Sequence, residues 1–139
     1  MPKLQSECPR LSTHILIVDD DHRLLHAMKS RLSQLGYHCV AFNNVTEAAA
    51  HLVVATVDLV ITDLKMSGID GAGFIRLVRS QKHVPIIVVT GQPQSAHLEF
   101  NTYDGLQIIH KPFSLDALVD GVRLAVARRE SAMEESIDH

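Results

Sequence analysis

The sequence predicts a single α/β domain, an open five-stranded parallel sheet with helices on both faces, and three observations carry that expectation. Five short apolar runs rich in valine and isoleucine recur along the chain without clean polar alternation, which suits strands covered on both faces. Between the runs, apolar residues recur at helical spacing. The length of 139 residues fits one core, able to hide roughly two-thirds of the chain's surface.

The first run, HILIV at 14–18, leads straight into Asp19, Asp20 and Asp21. Leu24, Met28 and Leu32, flanked by Leu25 and Leu35, then form one stripe, and Gly36 stands where a left-handed helix stop belongs. HCVAF at 38–42 is the second strand, after which Asn44 and Glu47 resemble a capping box opening the alanine-rich TEAAAHLVV. DLVIT at 58–62 is the third strand, and Phe74, Ile75, Leu77 and Val78 give the third helical stripe. VPIIVV at 84–89 is the fourth strand. The connection after it, residues 91–105, places Ala96, Phe100 and Tyr103 on one face, but Pro93, Asn101 and Thr102 predict a short or frayed fourth helix. LQIIH at 106–110 is the fifth strand, and Ser114 caps a fifth helix whose inner side holds Leu115, Leu118, Val122 and Ala125. Beyond Arg128 the stripe is lost in RESAMEESIDH. The expected organisation is an N-terminal tail (1–13), a domain (14–128) and a C-terminal tail or start of a linker (129–139).

Composition narrows the functional classes. The apolar runs are far short of the roughly 20 residues that cross a bilayer, and MPKLQSECPR lacks the apolar stretch of a signal peptide, so a cytoplasmic protein without membrane contact is expected. A net charge of −3 and a pI near 6.3 advertise no basic face to nucleic acid. Cys8 and Cys39 do not form a disulfide framework and are expected as reduced thiols.

The strand ends hold the chemistry. In open α/β sheets ligands sit beyond the carboxyl ends of the strands. Strand one ends in Asp19 and Asp20, strand three in Asp63, strand four in Thr90, and strand five delivers Lys111. Asp21 reads chiefly as favourable charge at the start of the first helix. Adjacent carboxylates in a partly dry site take up protons unless a cation intervenes. Asp20, Asp63, a backbone carbonyl and waters suit a hard divalent ion such as Mg²⁺. The carboxylate of Asp63 can then attack an activated phosphorus, Lys111 can meet a phosphoryl oxygen, and the Thr90 hydroxyl can donate to another. His22 and His26 share a helix face at metal-like spacing, but without a third ligand they are expected as solvated side chains.

In this order and spacing, ILIVDDD, DLVITDLKMSGIDG, VPIIVVTG and HKPF resemble the receiver domain of bacterial two-component response regulators, over about residues 14–128. The resemblance implies a flavodoxin-like sheet in the order 2-1-3-4-5. It implies that Asp63 accepts the phosphoryl group, that Asp19, Asp20 and the backbone carbonyl of Lys65 join Asp63 in holding Mg²⁺, and that Thr90 and Lys111 read the phosphate. It also implies a cis Lys111–Pro112 bond, a sensor histidine kinase or phosphotransfer protein as donor, and an effector domain or homodimer acting through the fourth helix, fifth strand and fifth helix. Such a domain phosphorylates and dephosphorylates itself and is not a multiple-turnover enzyme.

Two departures stand out. Ile108 occupies the position where many members carry an aromatic residue, so the usual relay from threonine to aromatic is in doubt, and Ile108 is expected to stay buried whether or not Asp63 is modified. Ser67 replaces a frequent proline, and Lys65 is expected to influence the lifetime of an acyl phosphate. Two rival readings compete with the receiver. A haloacid-dehalogenase-type phosphatase would use Asp19 and Asp21 as Asp-x-Asp, yet His22 and Arg23 follow where it needs a small hydroxyl residue. A receiver-like binding module that is never phosphorylated would not need the acidic set, Thr90 and Lys111.

Overall fold

A computed structural model describes residues 13–66, 69–91 and 103–138, without the side chains of 65–70 and 132–138. Strand β1 (His14–Val18) is followed by helix α1 (His22–Gln34), β2 (His38–Phe42), α2 (Val45–Val54) and β3 (Leu59–Asp63). After a short antiparallel pairing of Lys65–Met66 with Ile69–Asp70 come α3 (Gly71–Gln81), β4 (Ile86–Thr90), β5 (Leu106–His110) and α4 (Leu115–Asp138). The five main strands are parallel in the order β2-β1-β3-β4-β5, the flavodoxin-like arrangement.

Alternate residues of each strand face opposite layers, so both faces must be apolar. Leu16, Val18, Val60, Ile86 and Val88 pack with Ala48 and Leu52 of α2 and Phe74, Ile75 and Val78 of α3. Their strand neighbours Ile15, Ile17, Leu59, Ile61, Ile87 and Val89 pack with Leu25, Met28 and Leu32 of α1 and Leu118, Val122 and Ala125 of α4. The non-alternating runs in the sequence are this two-sided burial.

Helix ends follow their side chains. The Asn44 side chain accepts from Glu47 N–H at 2.8 Å and donates to the Glu47 carboxylate at 2.9 Å, and Ser114 Oγ accepts from Ala117 N–H at 3.0 Å. At the end of α1, Gly36 has φ 99°, while Gly36 and Tyr37 N–H donate to the carbonyls of Ser33 and Leu32. This is the glycine-terminated stop that the sequence predicted.

Several expectations are corrected or fall outside the described residues. The third strand runs 59–63 rather than 58–62, because Asp58 turns its carboxylate onto His14 N–H at 2.8 Å. Leu35 is exposed, since it is the residue at which α1 stops. Residues 129–138, the expected tail or linker start, are helical and continue α4. Among the described residues there are four helices where five were expected. The fourth expected helix falls largely on residues 92–102, which lie outside the described residues, as does the tail 1–12. No described helix is long and apolar enough to cross a membrane.

Candidate functional site

Parallel strands all end on one edge, and that edge collects the predicted residues. β1 is an interior strand, and a hydrogen bond from Asp19 N–H to the Phe42 carbonyl at 3.2 Å fixes Asp19 just past the strand. The Asp19 side chain is fully buried and accepts from Asp21 N–H at 2.9 Å. Asp21 in turn caps α1, its carboxylate accepting from Arg23 and Leu24 N–H at 3.1 and 3.2 Å. The three consecutive aspartates therefore have different duties: Asp21 serves the helix, and Asp19 and Asp20 face the crevice with Asp63.

Asp63 ends β3 opposite Val89 in the ladder and is 6% exposed. Carboxylate oxygens of Asp19, Asp20 and Asp63 all lie within 4.8 Å of one another, two of the residues buried and Asp20 half-buried. Lys111 enters from the end of β5, held by its own N–H to the Thr90 carbonyl at 2.8 Å, and precedes a cis bond to Pro112, as the resemblance implied. Its ammonium donates to Asp63 Oδ2 at 2.9 Å and to Asp19 Oδ2 at 3.1 Å. Thr90, wholly buried, ends β4 beside His110 of β5.

The electrostatics are unbalanced. Three carboxylates stand together, and one lysine bonds two of them. Burial raises the pKa of Asp19 despite the Asp21 N–H and the Lys111 charge, which act to lower it. Burial alone would lower Lys111, yet its bonds to Asp63 and Asp19 and their charges outweigh this and raise its pKa, so the side chain stays an ammonium. An all-oxygen cluster of nominal charge −3 against +1 suits a hard divalent cation, and among the described residues it is the one such group of three. The residues present fit Mg²⁺.

Each predicted site residue is accounted for. Asp19, Asp20, Asp63 and Lys111 meet directly, and Thr90 ends the neighbouring strand. Lys65 lies two residues beyond Asp63 in the short hairpin. His22 and His26 are exposed on α1, with His22 Nε2 3.3 Å from Asn43 Nδ2, in line with solvated side chains. Cys39 is a free thiol. Ile108 is half-buried and packs against the core from β5, an edge strand, where burial was expected. Sequence reasoning missed Gly71: a Cβ there would lie 2.2 Å from the Leu64 carbonyl oxygen and 2.5 Å from that of Asp63.

Comparison with known proteins agrees with the geometry. Residues 15–123 match the response regulator receiver domain family. Among curated relatives, the C4-dicarboxylate transport transcriptional regulatory protein DctD of Rhizobium meliloti is 34% identical over 86% of this chain and 26% of its own length. The transcriptional regulatory protein ResD of Bacillus subtilis is 36% identical over 86% of this chain and 50% of its own length. The chain thus spans a quarter to a half of these relatives. A CheY-like receiver domain protein from Methanospirillum hungatei superposes with a TM-score of 0.80 at 24% identity, covering 87% of this chain and 98% of that one. A response regulator receiver protein from Sinorhizobium medicae gives 0.75 at 28% identity, covering 85% and 97%.

Proposed function

This chain belongs to the response regulator receiver domain family, and from that premise we propose that it takes a phosphoryl group from a histidine kinase, or from a phosphotransfer protein, onto Asp63 and thereby switches partner binding. The observation that carries the proposal is the Lys111 ammonium bridging Asp63 and Asp19 beside Asp20, all at the carboxyl edge of the sheet.

In the proposed reaction an oxygen of the Asp63 carboxylate attacks the donor's phosphorus, the bond from phosphorus to the donor's histidine nitrogen breaks, and the imidazole departs with the electron pair. The product is an acyl phosphate on Asp63, a mixed anhydride that water can later cleave at phosphorus to restore the carboxylate. Mg²⁺, held by Asp19, Asp20, Asp63 and the Lys65 carbonyl, would supply the charge neutralisation that lets two anions meet. Lys111 is already aimed at Asp63 and retains its charge, so it can move from the carboxylate to a phosphoryl oxygen with little rearrangement. The Thr90 hydroxyl would donate to a further oxygen only once phosphate is present. Such a new bond is worth about 1 to 3 kcal/mol, the size of a typical allosteric coupling. We place the protein in the cytoplasm, acting as a switch rather than a multiple-turnover enzyme. Its output is assigned to β5, α4 and the segment before β5, towards an effector domain or a second copy.

The competing Asp-x-Asp phosphatase reading loses support because the Asp21 carboxylate is spent on the α1 cap. Incubation with Mg²⁺ and acetyl phosphate, read by intact mass, is expected to add one phosphoryl group to the wild type and none to Asp63→Asn or to the wild type in EDTA. Equal labelling of Asp63→Asn would overturn the assignment.

A further inference from the structure

The edge of the sheet opposite the acidic site carries a feature that phosphorylation does not use. His14 opens β1 and His38 opens β2, and the two are direct partners across the parallel ladder. Partners in register present their side chains on one face of a sheet, and here the imidazole centres lie 4.7 Å apart with the rings tilted by 33°. Residues alternate along a strand, so His38 shares its face of β2 with Val40 and Phe42, the face that packs towards α2. From α2, His51 sets its ring 5.4 Å from that of Phe42, on this same face. The three histidines line one cavity of about 250 Å³, with Val40 and Ala55 among its apolar walls.

Behind His14, on the side of β3, stands Asp58. Its Oδ2 accepts from the His14 backbone N–H at 2.8 Å and lies 3.5 Å from Nδ1 of the ring, a buried atom without a hydrogen bond among the described residues. A carboxylate at one imidazole nitrogen fixes the tautomer and raises the basicity of the other, so Nε2 is the nitrogen left for a ligand. Two imidazoles on one tetrahedral ion, with metal–nitrogen bonds of about 2.0 to 2.1 Å, have ring centres about 5 Å apart, close to the separation of His14 and His38. The neighbouring cations are engaged: Arg129 with Asp58 Oδ1 at 2.7 Å and Lys82 with the Ala55 carbonyl at 2.7 Å. The cavity and the carboxylate separate this group from His22 and His26, a pair on the exposed face of one helix.

We propose that His14, His38 and His51 form a second metal site, for a nitrogen-preferring divalent ion of the Zn²⁺ class. Imidazole suits Zn²⁺, Ni²⁺ and Cu²⁺, whereas the carboxylate cluster at the other edge suits Mg²⁺, so the two ends of the sheet select different ions. His14 and His38 stand ready as a pair. His51 joins them by turning about its side-chain bonds, and water takes the fourth position. The bound ion ties the last turn of α2 to the starts of β1 and β2. None of these ligands belongs to the acidic site, so the proposal stands or falls separately from phosphorylation of Asp63.

Calorimetric titration with Zn²⁺ tests the proposal, on the full chain carrying Asp20→Asn and in excess Mg²⁺, so that the acidic cluster does not compete. The expected result is one Zn²⁺ per chain, with His38→Gln and His51→Gln each weakening the binding at least about tenfold. His38 is exposed, so the fold of His38→Gln should survive by circular dichroism. In NMR spectra the ring protons of His14, His38 and His51 should shift together as Zn²⁺ is added, while those of His22 and His26 stay in place and Mg²⁺ alone moves none of them. Absence of Zn²⁺ binding, binding that either glutamine variant leaves unchanged, or shifts confined to other histidines would each overturn the site.

Discussion

Asp19 and Asp58 are carboxylates pulled in opposite directions, and the contrast separates the reactive edge of the sheet from its structural edge. At Asp19 burial wins and raises the pKa. At Asp58 burial also acts to raise it, but the His14 N–H and the Arg129 guanidinium, with their charges, prevail and lower it. A carboxylate whose folded pKa lies below its unfolded value of about 3.9 contributes stability that is fully present above that value and lost as pH falls through the folded pKa. Asp58→Asn keeps the shape but removes the charge shared by β1 and α4. Its cost should be about 1 to 3 kcal/mol at neutral pH. The gap between wild type and variant, measured by urea unfolding, should close as pH drops below roughly 4. A gap that stays constant over that range would show that the ionised form contributes nothing.

At the scale of elements, what was legible in the sequence was whatever a single residue or a local period decides. Asn44, Ser114 and Gly36 cap or stop their helices because each satisfies backbone groups within a few positions, and such signals can be read without the fold. Leu35 was misplaced because a stripe alone does not say which residue is last. The continuation of α4 to Asp138 was hidden because the apolar period that marks the rest of the helix is lost after Arg128. Gly71 was illegible for a different reason, since its constraint comes from the approach of two carbonyls on the loop that ends β3. Those carbonyls belong to Leu64 and Asp63, so the first turn of α3 packs directly behind the proposed phosphoryl acceptor. Gly71→Ala forces backbone apart, a change of the kind that costs several kcal/mol where a surface substitution costs about 0.5 or less. The expected outcome is a marked loss of thermal stability together with slower labelling of Asp63 by acetyl phosphate. If both quantities matched the wild type, the close packing behind Asp63 would be without consequence.

For the whole molecule, the site was legible because a parallel sheet sends every strand's carboxyl end to one edge, so residues 19, 63, 90 and 111 come to the same edge whatever the loops do. What the order of residues could not supply was the charge balance, which depends on burial: Asp19 is fully enclosed and Lys111 is the one cation seen to bridge it to Asp63. That balance couples the site to global stability. A cation that binds the folded cluster and not the unfolded chain stabilises by about 2.7 kcal/mol at a hundredfold excess over Kd. For a domain of this size the shift in Tm should be roughly ten degrees. Mg²⁺ should therefore raise the Tm of the wild type, EDTA should reverse the rise, and Asp20→Asn should flatten it. Lys111→Ala gives the decisive comparison, because lysine and metal neutralise the same oxygens. Losing the ammonium removes the positive charge that Lys111 sets against Asp19 and Asp63, so the metal-free protein should melt lower while its gain from Mg²⁺ grows. Were Lys111→Ala to melt lower and yet gain no more from Mg²⁺ than the wild type, the two cations would be acting at separate places, and the acidic cluster would have to be read as a lysine-neutralised end of the sheet rather than a metal cradle.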